Sequence, residues 1–146
     1  MALAADNAAE RVDQLILLTE RLTQLVALEA QAFESRRPQD AALHVEETSR
    51  LANLYRHESA RVRANPDLVK AADLRQRTRL IRATEAFDAV LARQGRALEA
   101  AKTVTEGLVR AIAEEVASQR QKGVSYGADA TASQAGATAI TLNQRA

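Results

Sequence analysis

Cysteine is absent from the 146 residues. A disulfide framework, a thiolate metal site and a thiol nucleophile are therefore excluded. Aromatic residues make up 3% of the chain, beside two prolines and five glycines, too few for the strands and turns of a sandwich or barrel. No stretch approaches the roughly 20 apolar residues of a membrane span. Asp6 also interrupts the N-terminus before an apolar run of signal-peptide length develops, so a soluble cytoplasmic protein without membrane insertion is expected. Neither sign of charge dominates: 20 Lys and Arg against 19 Asp and Glu leave a net charge of +1, and their interleaving provides no strong global field toward nucleic acid or membrane. Leu, Ala, Glu, Gln and Arg fill the chain instead, and a 47% hydrophobic content suffices for one narrow core. The composition predicts an all-α protein.

The apolar spacing resolves this into segments. From about Asp6 to Ser35, Val12, Leu15, Leu18, Leu22, Leu25 and Ala32 recur on one helical face, widened by Ile16, Val26 and Phe33. Asp6 or Asn7 can cap this helix, and Pro38 ends it. A second helix is predicted from Gln39 or Asp40 to about Ala64, carrying Leu43, Leu51, Leu54, Tyr55 and Val62. Glu47 and Glu58 interrupt its stripe, which leaves the helix partly exposed or its carboxylates satisfied by arginines. Asn65-Pro66-Asp67 reads as a turn and a short helical start, with Asn65 as cap. Asp73 then caps a long third helix in which Leu80, Thr84, Phe87, Leu91, Gln94, Leu98, Ala101, Thr105, Leu108 and Ile112 keep a 4-3 spacing through Gly95 and Gly107 to about Gln121.

The polar stretch from Gly123 to Ala146 has only Asp129 and Arg145 as charged side chains. It buries too little to offset its ordering entropy. The expected organisation is a helical domain over 1–122 and a flexible tail over 123–146. Short connections make the helical part an antiparallel three-helix bundle or coiled coil with a long third helix. At 1.5 Å per residue the first two helices span roughly 45 and 38 Å and the third about 70 Å. The third helix then outruns its partners from about Val104, leaving Val104, Leu108, Val109, Ile112 and Val116 as a strip open to another protein. Bending of the helix or self-association of two copies is the alternative.

Catalytic constellations do not emerge. His44 and His57 stand on one helix without the spacing of metal ligands, and both are expected at the surface. Glu46-Glu47 and Glu114-Glu115 are adjacent carboxylates, which diverge on a helix and cannot share a site. Neither GxGxxG nor GxxxxGK[ST] occurs, so no nucleotide cradle is read. The chain is expected to be no enzyme, with no cofactor, metal or small-molecule substrate. Arg75, Arg79, Arg82, Arg93 and Arg96 form a basic stripe on the third helix. Without an aromatic stacking platform this stripe reads as a solvated face complemented by acids of neighbouring helices, and nucleic acid as a partner is disfavoured. Tyr126, a lone aromatic in the polar tail, either docks to a partner or packs back onto the helix.

The helix, the break followed by Asp40-Ala41-Ala42-Leu43, the long third helix and the tail sequence Ser125-Tyr126-Gly127-Ala128-Asp129 together resemble the FlgN-type flagellar export chaperones. The resemblance covers most of the chain as architecture and the tail pentapeptide as motif, with Ala130 where the family pattern has Gly. It implies a cytoplasmic chaperone that binds hook-associated (hook-filament junction) proteins, prevents their premature assembly and delivers them to the flagellar type III export gate. By position, the client surface implied is the strip Val104, Leu108, Val109, Ile112 and Val116, and Tyr126 is the implied contact to the gate. A structural coiled-coil module that self-associates, for example as a homodimer, or an adaptor module is the competing reading.

Overall fold

A computed structural model describes the backbone of residues 3–130 and the side chains of residues 3–125. Among the described residues every regular element is helical: α1 spans Ala8–Glu34, a 3-10 helix spans Pro38–His44, α2 spans Val45–Ala64, α3 spans Asp67–Lys70 and α4 spans Leu74–Ala130. The protein is all-α. It divides into two compact units, Met1–Lys102 and Thr103–Ala146.

In the first unit, α1 begins where Asn7 Oδ1 accepts the Glu10 N–H at 2.9 Å, one of the donors that a helix start leaves unpaired. Its end is a left-handed cap. Arg36 has φ 57°, its N–H donates to the Phe33 carbonyl at 3.1 Å, and the Arg37 N–H donates to Ala32 at 2.8 Å. This Schellman pattern satisfies two terminal carbonyls with an arginine where glycine is the usual occupant.

The chain does not enter an α-helix at Gln39 or Asp40 as expected. It winds first as a 3-10 helix, and α geometry starts at Val45. Asp40 does not cap a helix but pairs with Arg37, Nε to Oδ2 at 3.1 Å. Because 3-10 winding advances three residues per turn instead of 3.6, Leu43 leaves the phase of Leu51 and Leu54 and stands 78% exposed. After α2, the Asn65 N–H donates to Arg61 and its carbonyl accepts from Leu68. The short α3 starts one residue later than expected, with no side-chain cap. Asp73 then acts as expected: Oδ1 accepts the Arg75 N–H at 2.9 Å at the start of α4.

The buried residues fall where the apolar spacing of α1 places them. Val12, Leu15, Ile16, Leu18, Leu22, Leu25, Val26 and Ala32 are all buried. One core cluster joins Val12, Ile16 and Ala72, with Ala8, Val69 and Leu80 against it. Another joins Leu18, Leu22, Val26 and Phe87, with Leu51, Ala52, Leu54, Tyr55 and Val90 packed around it. Each fully buried side chain of this kind contributes about 1.5–3 kcal/mol. Tyr55 of α2 meets Phe87 of α4 edge to face, ring centroids 5.1 Å apart, a geometry the ring quadrupoles favour.

Within α4 the inward positions differ from the expected 4-3 sequence. Ala97 is buried and Val90 half-buried, while Leu91 and Leu98 are each 40% exposed. Stepping three residues from Phe87 and from Gln94 reaches the inner face, whereas stepping four reaches its rim. The helix also passes the expected junction at Gly123 and continues to Ala130. A single glycine costs only about 1 kcal/mol in a helix interior, and no proline follows to remove a hydrogen bond. Residues 131–146 of the expected tail lie outside the described residues.

Candidate partner-binding strip

In the second unit, α4 supplies all the described structure. Val104, Leu108, Val109, Ile112 and Val116 are between 44% and 63% exposed, so the five residues of the expected strip present their apolar side chains to solvent. Their spacing of three and four residues gathers them along one side of the helix. Polar groups border them, including Glu115, which accepts a hydrogen bond from Gln119 at 3.1 Å. Five exposed aliphatic side chains on one helical stripe can bury apolar area only against another apolar surface. Tyr126 lies in the backbone of α4, and its side chain falls outside the described residues.

Several charged groups of the first unit pair across its helices. Glu58, expected to interrupt the α2 stripe, is completely buried. Its Oε2 accepts from Arg11 Nη1 at 3.0 Å, and its Oε1 accepts from the Leu3 N–H at 3.0 Å and from Arg61 Nη1 at 3.3 Å. Arg11 is itself buried, so the α1 cation and the α2 anion are satisfied only by one another and their immediate neighbours. Glu47 binds Arg21 through both oxygens, at 2.8 and 2.9 Å. That hydrogen bonding holds the Glu47 carboxyl below its ordinary value and raises the Arg21 guanidinium above its own.

Two members of the α4 arginine stripe meet acids of α1, as a complemented face requires. Arg79 reaches Glu20 at 3.3 Å, and Arg93 Nε reaches Glu34 at 2.9 Å. Hydrogen bonding to Arg93 lowers the Glu34 carboxyl and raises the Arg93 guanidinium. Arg75, Arg82 and Arg96 remain exposed. His57 is exposed and His44 half-buried at the start of α2. Glu46 and Glu47 do not converge on a shared site: Glu47 turns to Arg21 while Glu46 is exposed. Shallow depressions on α2 are lined by Glu46, Glu47 and Arg50, and by Arg50, Leu51, Asn53, Leu54 and His57. Among the described residues no three His, Asp or Glu side chains gather as a metal site would require, and no helix is long and apolar enough to cross a membrane.

Sequence spacing missed the burial of Arg11 and Thr19. The signal for Arg11 was its position four residues before Leu15 on the apolar face, and Thr19 lies on that same face. The Thr19 hydroxyl escapes an unsatisfied burial by donating to the Leu15 carbonyl at 2.7 Å.

Fold and strip together define an all-α protein that presents an apolar helical stripe. Over 150 residues, and over the full length of both chains, it is 66% identical to the flagellar basal-body protein FlbY of Caulobacter vibrioides. The chain belongs to this flagellar protein family. No family model matches it. No solved structure matches it either.

Proposed function

We propose that the protein is a cytoplasmic chaperone of flagellar assembly that binds hook-associated proteins through Val104, Leu108, Val109, Ile112 and Val116. It keeps them from assembling prematurely and delivers them to the type III export gate, with Tyr126 as the contact to the gate. The observation that carries this reading is the exposed aliphatic strip of α4, in a chain whose relative is named a flagellar basal-body protein. A client helix laid along the strip buries its own apolar face there, so holding and release follow from competing contacts and need no bond chemistry.

The helical arrangement proposed for the first unit is an antiparallel three-helix bundle. Its support lies in the order of the pairs: Arg11 with Glu58 and Arg21 with Glu47 run in opposite senses along α1 and α2. Glu20 with Arg79 and Glu34 with Arg93 run in the same sense along α1 and α4.

Replacing Leu108 and Ile112 by Asp and titrating purified hook-filament junction proteins tests the client surface. The double variant loses binding while keeping its helical circular dichroism, and unchanged affinity would sink the assignment. A second reading rests on the recurrence of Leu80, Phe87, Gln94, Ala101 and Leu108 at every seventh residue, the repeat of a coiled-coil seam. Sedimentation showing a concentration-dependent dimer that the same variant abolishes, without junction-protein binding, would establish that alternative.

A further inference from the structure

The near-neutral total charge conceals a segregation along the chain. Residues 50–82 carry nine Lys and Arg against three Asp and Glu, a net charge of +6, while residues 1–49 carry four against nine, a net charge of −5. Packing consumes little of the positive tract. Arg61 pairs with Glu58, and Arg79 with Glu20, whereas Arg56, Arg63, Lys70, Arg75, Arg77 and Arg82 are exposed. From these observations we infer that the face formed by the end of α2 and the first turns of α4 docks an acidic amphipathic helix of a partner protein.

The placement follows from helix phase. Arg56 adjoins Tyr55, which turns to Phe87 of α4, and Arg63 lies seven residues further on the same flank of α2. On α4, Gln76 and Arg79 reach α1. Leu74, Arg77 and Ile81, spaced by three and four residues, share another flank. Leu74 is 70% and Ile81 58% exposed, so this flank sets two large aliphatic side chains among guanidinium groups. The nearby carboxylates offset it only in part: Glu58 is buried and committed to Arg11 and Arg61, while the exposed Asp67, Asp73 and Glu85 are outnumbered by the six exposed cations.

An acidic amphipathic helix complements both features at once. Its apolar stripe covers Leu74 and Ile81, and its carboxylates meet Arg56, Arg63 and Arg77. A nucleic-acid backbone would match the charge but leave the two aliphatic side chains in water, and no exposed aromatic among the described residues offers a base a stacking surface. A bilayer surface calls for a continuous apolar helix face, which Arg77 breaks.

This inference uses no residue of the strip at 104–116. It is tested with the full chain and two labelled synthetic peptides of identical Glu and Leu composition. One peptide has its leucines in phase on a helix, and the other has them dispersed around it. Fluorescence anisotropy is expected to show the in-phase peptide binding at least about tenfold more tightly, an advantage lost in the Leu74→Ser/Ile81→Ser variant. Arg63→Glu/Arg77→Glu weakens both peptides, and Leu108→Asp/Ile112→Asp binds the in-phase peptide as the parent chain does. Equal affinity for the two peptides would overturn the proposal. So would tighter binding to a DNA duplex or to phosphatidylglycerol vesicles, or self-association that Arg63→Glu/Arg77→Glu abolishes.

Discussion

Replacing Glu58 by Ala is expected to be among the most damaging single substitutions in the first unit. Glu58 has no solvent exposure, and the Arg11 side chain beside it retains 8%. With the carboxylate gone, Arg11 is left as a buried cation without its anion, a loss that typically costs about 3–5 kcal/mol. Arg61 adds little to this, because its side chain is 37% exposed and can turn to water. The Leu3 N–H also loses its acceptor, for roughly a further 1 kcal/mol. Against a total stability of about 5–15 kcal/mol for an ordinary domain, such a loss brings the fold close to its unfolding midpoint. Urea unfolding followed by circular dichroism at neutral pH measures the cost, and the double variant Arg11→Met/Glu58→Leu separates pairing from packing. Removing both charges should recover most of the loss, because an apolar pair of similar volume has no desolvation penalty to offset. A cost below about 1 kcal/mol for Glu58→Ala, or a double variant no more stable than the single one, would refute the reasoning.

Other expectations follow from local geometry. Arg36 holds φ 57° at the end of α1, and a left-handed backbone costs a non-glycine residue about 1–2 kcal/mol. Arg36→Gly should therefore raise stability by about 0.5–1 kcal/mol after the larger unfolded-state entropy of glycine is subtracted, readable as a higher urea midpoint. At low pH the carboxylates of Glu34 and Glu47, both held below their ordinary value by arginine partners, contribute stability that is complete above the unfolded glutamate pKa of about 4.3 and is lost as pH falls through the lower folded value. In thermal melts from pH 6 to pH 3, Glu47→Gln should show a shallower decline than the parent chain. An identical decline would show that the Arg21 pair does not contribute.

How much was legible in the sequence varied from helix to helix. The apolar part of the inward face of α1 could be read from the sequence, though not Arg11 and Thr19, because a long run of single-type winding preserves the 3.6-residue phase and Val12, Leu15, Leu18, Leu22 and Leu25 are all buried. Leu43 was misplaced for the converse reason: the chain winds as a 3-10 helix before α2, and a change of pitch resets the phase. In α4, periodicity alone did not separate Val90 from Leu91 or Ala97 from Leu98. Neighbours three and four residues away are almost equally placed, and only the partner helices select the one that points inward. The strip at 104–116 was legible because its aliphatic residues keep the helical spacing. The segregation of charge into residues 50–82 was equally present in the sequence but is masked by a whole-chain sum.

Composition and periodicity by themselves determined that this protein is helical and which apolar residues of α1 turn inward, since these depend on backbone propensity and local spacing. Tertiary structure decided what local spacing cannot carry. It spent Glu58 on Arg11 in a closed interior, left Arg63 and Arg77 to solvent, and turned Val90 inward with Leu91 at the rim. Those outcomes depend on which surfaces meet across long sequence separations, where burial removes water and makes one partner's charge or volume decisive for another's.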